Sequence, residues 1–242
     1  TVNINLTNCD SKEISGKGNV QRVYITGTTG VNNITVTGCN FLTKATALYS
    51  NADGTVVIDN CTFKGGQVPV NFNHKADGKQ TVAVKNSTFT NCGDEGEWSA
   101  FAAPVRFVNS GKGSLNATIE NNTFTGTVGN NGDILLGDYR EGKESHDVTA
   151  TITPNGTTKV RNSGITDEPT PITGKVTADA KGNITPVKEE GPSQIVIISP
   201  TQDTPKTDDQ KNPTTGANDM VAAAAALMAV SALGMAVLSR KK

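Results

Sequence analysis

Thr55-Val-Val-Ile-Asp-Asn-Cys-Thr-Phe63 has three near copies in the chain: Asn33-Ile-Thr-Val-Thr-Gly-Cys-Asn-Phe41, Thr81-Val-Ala-Val-Lys-Asn-Ser-Thr-Phe89 and Asn116-Ala-Thr-Ile-Glu-Asn-Asn-Thr-Phe124. Val2-Asn-Ile-Asn-Leu-Thr-Asn-Cys-Asp10 matches without the phenylalanine, and Val148-Thr-Ala-Thr-Ile-Thr-Pro154 keeps only the first part. Successive turns begin roughly 22 to 35 residues apart, a spacing typical of stacked repeats. Within each copy apolar and polar residues alternate with period two, which predicts strands with one buried face. The expected inward columns are Ile4, Ile34, Val56, Val82 and Ala117, then Leu6, Val36, Ile58, Val84, Ile119 and Ile152. Phe41, Phe63, Phe89 and Phe124 form a third column past the turn, and Asp59, Lys85 and Glu120 share an outward one.

A second strand recurs later in each unit. Aligning Ala52-Asp-Gly54 with Ala76-Asp-Gly78, and Pro69 with Pro104, puts Leu48, Phe72, Phe107 and Leu136 in one column and Val70, Val105 and Ile134 in another. Connections such as Asn109-Ser-Gly-Lys-Gly113 are rich in turn formers. No helical period is present before residue 160, so the body is expected to be all-β.

Strand, turn, strand and loop in this order resemble the right-handed parallel β-helix of the pectate-lyase-like superfamily, over roughly Val2 to Pro154. The resemblance implies an all-β solenoid of about five coils across residues 1–163. It also implies an internal Asn ladder at Asn8, Asn60, Asn86 and Asn121, interrupted by Gly38, with a cap on the terminal coil. The chain starts at Thr1, directly at a strand, and reads as a fragment whose upstream part and export signal are missing.

Whole-chain averages conceal this organisation. The 242 residues carry a net charge of −1, which argues against a nucleic-acid partner. The eleven aromatic residues end at Tyr139, and seven of the ten prolines lie between Pro169 and Pro213. Cys9, Cys39 and Cys61 occupy one repeat position and read as a stack of small buried thiols that can close at most one disulfide. Cys92, in Asn91-Cys-Gly93, reads as the exposed thiol. No spacing of Cys, His or acidic residues suggests a metal site, and no cofactor is expected. The many Asn-x-Ser/Thr triplets read as a by-product of an Asn- and Thr-rich repeat.

On this fold, enzymes carry carboxylates and basic groups on one outer face of the coils. The candidates are His74, Arg106 and Asp138, with Asn71 and Arg140, and the acidic loop Asp94-Glu-Gly-Glu97 beside Trp98. Paired carboxylates suit glycosidase chemistry, an arginine with bound calcium suits proton abstraction from a uronate, although no aspartate cluster has calcium-loop spacing, and Trp98 suits stacking on a sugar ring. No repeated motif surrounds any of them, so no catalytic residue is assigned. His74, Arg106, Asp138 and Trp98 stand as candidate ligand contacts.

Residues 164–211 are rich in Pro, Thr, Asp, Lys and Gly and read as a disordered linker. Asn212-Pro-Thr-Thr-Gly216 follows, then a stretch without charge from Met220 to Ser239, then Arg240-Lys-Lys242. Twenty residues in a helix span about 30 Å, the thickness of a bilayer core, and the basic end would stay cytoplasmic. This order resembles the cell-wall sorting signal of Gram-positive surface proteins. There a sortase cleaves an LPXTG-type pentapeptide, matched here by Pro213, Thr214, Thr215 and Gly216 with Asn212 in place of leucine. The resemblance implies cleavage between Thr215 and Gly216 and attachment of Thr215 to peptidoglycan. Sortase, peptidoglycan, the membrane before sorting, and a polysaccharide or host surface ligand are then the expected partners.

The sequence therefore suggests a bacterial surface protein with a non-enzymatic adhesin or glycan-binding body. The alternatives are a surface-displayed polysaccharide lyase or glycoside hydrolase, and a β-helical stalk.

Overall fold

In the computed structural model, which describes residues 1–11, 21–26, 30–94, 101–137, 147–162 and 168–188, the period-two segments are strands and no described residue is helical. A first sheet pairs β1 (Val2–Thr7), β4 (Val31–Thr37), β7 (Asp53–Asp59), β10 (Lys79–Lys85), β13 (Ser114–Glu120) and β16 (Val148–Thr153) in parallel. The short strands β2 (Asp10–Ser11), β5 (Asn40–Leu42), β8 (Thr62–Lys64), β11 (Thr88–Thr90) and β14 (Thr123–Thr125) form a second parallel sheet. The third contains β3 (Gln21–Ile25), β6 (Thr46–Ser50), β9 (Val70–His74), β12 (Val105–Asn109), β15 (Ile134–Leu136) and β17 (Thr158–Arg161). The chain thus returns to each sheet once in each of the first five repeats, and the sixth supplies β16 and β17 to the first and third sheets; all the described residues belong to one compact unit, Thr1–Gly191.

The register of the first sheet follows the expected columns, although on the edge strand β1 Ile4 is exposed and Leu6 only half-buried, because no further strand covers that end among the described residues. Ile34, Val56, Val82, Ala117 and Ala150 are aligned and buried, as are Val36, Ile58, Val84, Ile119 and Ile152. The phenylalanines stack, with ring centroids 5.1, 4.8 and 5.0 Å apart from Phe41 through Phe63 and Phe89 to Phe124. Each fully buried Phe contributes about 1.5–3 kcal/mol of apolar burial, and each ring pair roughly 0.5–1.5 kcal/mol more.

One corner explains the repeated Asn-Cys/Ser/Asn-Thr-Phe motif. Asn8, Gly38, Asn60, Asn86 and Asn121 have φ of 53°, 64°, 52°, 48° and 54°, the left-handed region that Asn and Gly enter most cheaply. These four asparagines are exposed, so they are not an internal ladder, and Gly38 does not interrupt the pattern because it supplies the same φ. The internal ladder lies one residue later. Backbone N–H of Cys9 donates to Cys39 Sγ at 3.2 Å, that of Cys61 to Ser87 Oγ at 3.1 Å, and that of Ser87 to Asn122 Oδ1 at 3.0 Å. Small polarisable or polar side chains are needed there because the bend leaves backbone donors without a strand partner.

The second strand set departs from the expected alignment. Leu48 is in register with Val70, Val105 and Ile134, while Ser50 faces Phe72, which continues to Phe107 and Leu136. The cause is a link of residues 51–52 between β6 and β7, two residues shorter than the link 75–78 between β9 and β10. Matching the Ala-Asp-Gly triplets therefore shifts the strand by two positions.

Residues 168–188, assigned to the linker by composition, instead continue the fold. β18 (Thr170–Ile172) pairs antiparallel with β17, β19 (Val176–Asp179) pairs antiparallel with β16, and β20 (Ile184–Pro186) with β19. Ile172, Val176, Ala178 and Ala180 are buried beneath them. The reversal of direction covers that end of the first and third sheets.

Candidate functional site

Alternation along β9 points Val70, Phe72 and His74 inward and Asn71 and Asn73 outward. His74 is therefore fully buried rather than a solvated strand end. Its Nε2 lies 2.7 Å from Asp53 Oδ1 and its Nδ1 lies 3.2 Å from Asn109 Oδ1. Asn109 is oriented by its own bonds: Nδ2 donates to Gly113 O at 2.6 Å, and Gly111 N–H donates to Oδ1 at 3.1 Å. Both ring nitrogens thus face acceptors drawn from the preceding and following repeats. A β-carbon at Gly113 would lie 1.9 Å from Gly78 O and 2.8 Å from His74 Cε1, so bare backbone closes over the ring. Enclosed in this way, His74 joins three passes of the chain and is not presented to a substrate.

Arg106 faces the opposite side of the same sheet. Its Nη1 donates to Asn71 Oδ1 at 3.0 Å and its guanidinium lies 4.9 Å from the Phe101 ring centroid, a cation–π contact. It belongs to an outward column of Tyr49, Asn71, Arg106, Leu135 and Arg161, which are exposed by only 8, 5, 3, 0 and 5%. Arg161 Nη2 donates to Asn130 O at 2.8 Å, and Asn131 Nδ2 to Ala102 O at 2.9 Å, which ties the covering segments down. The outer face of the third sheet is a second buried layer. Two signals point to it in retrospect: the run Ile134-Leu-Leu136, apolar on both faces of a strand, and Phe101-Ala-Ala103.

His74 and Arg106 consequently sit on opposite faces of one sheet and do not converge. Trp98, Asp138, Arg140, the rest of the acidic loop after Asp94, and the pentapeptide Asn212, Pro213, Thr214, Thr215 and Gly216 lie outside the described residues. So does the stretch 220–239; among the described residues no helix is long and apolar enough to cross a membrane. Among the same residues no group of three or more His, Cys, Asp or Glu is arranged to hold a metal.

The thiols also differ from expectation. Cys9 is exposed, whereas Cys92 is buried. Asn91, with φ of 52°, makes a second left-handed corner in line with Gly65 and Gly126, and Cys92 follows it as Cys61 follows Asn60. Cys92 Sγ donates to Thr90 O at 3.4 Å, and burial pushes its pKa up to about 12. Burial likewise raises the Cys39 and Cys61 thiols, which suits packing rather than nucleophilic roles.

Comparison with known proteins yields no matching family model, no matching curated protein and no matching solved structure.

Proposed function

We propose that the chain is a wall-anchored surface protein whose body is a right-handed parallel β-helix solenoid acting as a non-enzymatic binding module for glycans or a host surface. Support for the solenoid comes from the strand order, in which each sheet takes one strand from each of the first five repeats in parallel register. A binding rather than catalytic role is favoured by His74 and Arg106. These two potential reactive groups have opposite orientations and are each engaged in packing.

The observation that carries the anchoring half is the order of the tail: Asn212-Pro-Thr-Thr-Gly216, a charge-free stretch from Met220 to Ser239, and Arg240-Lys-Lys242. A sortase thiolate would attack the Thr215 carbonyl carbon, expelling the Gly216 amine. A peptidoglycan amine would then displace the thiol, so that one amide replaces another. Thr215→Ala tests the step in cells. The variant should stay with the membrane fraction, while the parent chain is released with the wall by muramidase. Unchanged wall linkage would remove the sorting assignment.

A further inference from the structure

The outward face of the first sheet divides into columns set by the strand register. The two central columns are Asn3, Asn33, Thr55, Thr81, Asn116 and Thr149, and Asn5, Thr35, Val57, Ala83, Thr118 and Thr151. All twelve are exposed or half-exposed, ten are Asn or Thr, two are small apolar residues, and none is charged. Charge returns on both sides of the strip. Asp59, Lys85 and Glu120 form the next column, with Lys85 Nζ 3.8 Å from Glu120 Oε2, and Asp53 and Lys79 open their strands on the other side. With parallel strands about 4.8 Å apart and alternate residues about 6.6 Å apart, the strip is a low platform about 24 Å long across six strands. Its side chains are short, and at one end Asn33 Nδ2 donates to Asn3 Oδ1 at 3.1 Å, so little ordering remains to be done on binding.

We propose that this strip is the docking platform for an extended, electrically neutral polysaccharide chain lying across the strands. The proposal rests on the reading of the body as a glycan-contacting module. A neutral chain is favoured because the strip offers no cation to a uronate or phosphate and no anion to a basic polymer. Thr hydroxyls and Asn amides both donate and accept, as sugar hydroxyls require. The Thr methyls with Val57 and Ala83 supply apolar contact for the C–H faces of sugar rings. The row of such groups, repeated at the strand spacing, matches a polymer that repeats its own hydroxyls along its length. Each contact is weak, and affinity comes from engaging several at once.

The test is co-sedimentation of the full chain with microcrystalline cellulose, chitin and a calcium pectate gel, at low and high salt. Saturable binding to a neutral polymer that survives high salt is expected. Thr81→Glu/Thr118→Glu should weaken it at least tenfold and Thr81→Val/Thr118→Val by a smaller factor. Thr62→Glu/Thr88→Glu, on the outward side of the second sheet, should leave it unchanged. Circular dichroism and melting of each variant separate lost binding from lost folding. Neutral-polymer binding that all the variants share would overturn the platform while retaining the glycan-binding reading. Salt-sensitive binding to pectate alone would overturn the neutral chemistry. Binding to none of the polymers would overturn both.

Discussion

His74 and Asp53 are joined at 2.7 Å across the junction of the third and first sheets, although 21 residues separate them in the chain. His74 is fully buried, and removing it would leave the Asp53 carboxylate, the Asn109 amide oxygen and a cavity together. His74→Ala is therefore expected to destabilise the fold by about 3 kcal/mol. Urea unfolding of His74→Ala and of Asn109→Ala checks this; a loss below about 0.5 kcal/mol for both would show that the cluster does not join the repeats.

Gly113 lies beside the same ring. Its missing β-carbon would meet Gly78 O at 1.9 Å, a backbone atom that cannot turn away, whereas a β-carbon at Gly156 would meet nothing within 4 Å. Gly113→Ala should thus cost several times more than Gly156→Ala, which carries only the left-handed φ penalty of about 1–2 kcal/mol. Paired urea melts give the comparison, and equal costs would contradict the close packing.

At the left-handed corner, Asn60 is exposed and has φ of 52°, so conformation rather than contact selects it. Asn60→Ala should cost about 1 kcal/mol, while Asn60→Gly should be nearly neutral. If Gly proves as costly as Ala, the amide side chain has a role beyond the turn.

How much was legible follows from where the signals lie. The columns through Val56, Val82 and Ile58, Val84 were readable because buried strands in register repeat both period and residue type. Leu48 lies two positions from its expected column because nothing in residues 51–52 announces a shorter link than 75–78. Cys92 reads as a loop thiol because nothing local to Asn91-Cys-Gly93 shows that Asn91 forms a left-handed corner equivalent in kind to Asn60. The strands over 170–186 were hidden because they bury few apolar side chains and borrow the edges of β16 and β17. Arg106 looked solvated since no local pattern shows that Phe101 lies over it. The uncharged strip becomes visible only once the register aligns residues from six strands.

The stacked phenylalanines give a graded prediction. Phe63 is fully buried between two rings, whereas Phe124 is half-buried at the end of its stack. Phe63→Ala should cost about 3–5 kcal/mol and Phe124→Ala distinctly less. Chemical denaturation of the pair decides, and a larger loss at Phe124 would contradict the stacking order.

Thiol accessibility is equally specific. A maleimide reagent near neutral pH should label Cys9 first, with Cys39, Cys61 and Cys92 reacting after unfolding. Burial raises the Cys92 pKa to about 12 from the ordinary thiol value of 9.0. The native state therefore keeps a proton that the unfolded state loses, and stability falls as pH rises between those values while being unaffected below them. Cys92→Ala should remove that part of the alkaline decline. Rapid labelling of native Cys92 at neutral pH would contradict its burial.

The wall-anchored reading is tested most directly by mass spectrometry of the C-terminal peptide from protein released by muramidase. The predicted peptide ends at Thr215, with its carboxyl in amide linkage to a peptidoglycan amine and residues 216–242 absent. A wall-associated chain that still ends in Arg240-Lys-Lys242 would contradict it.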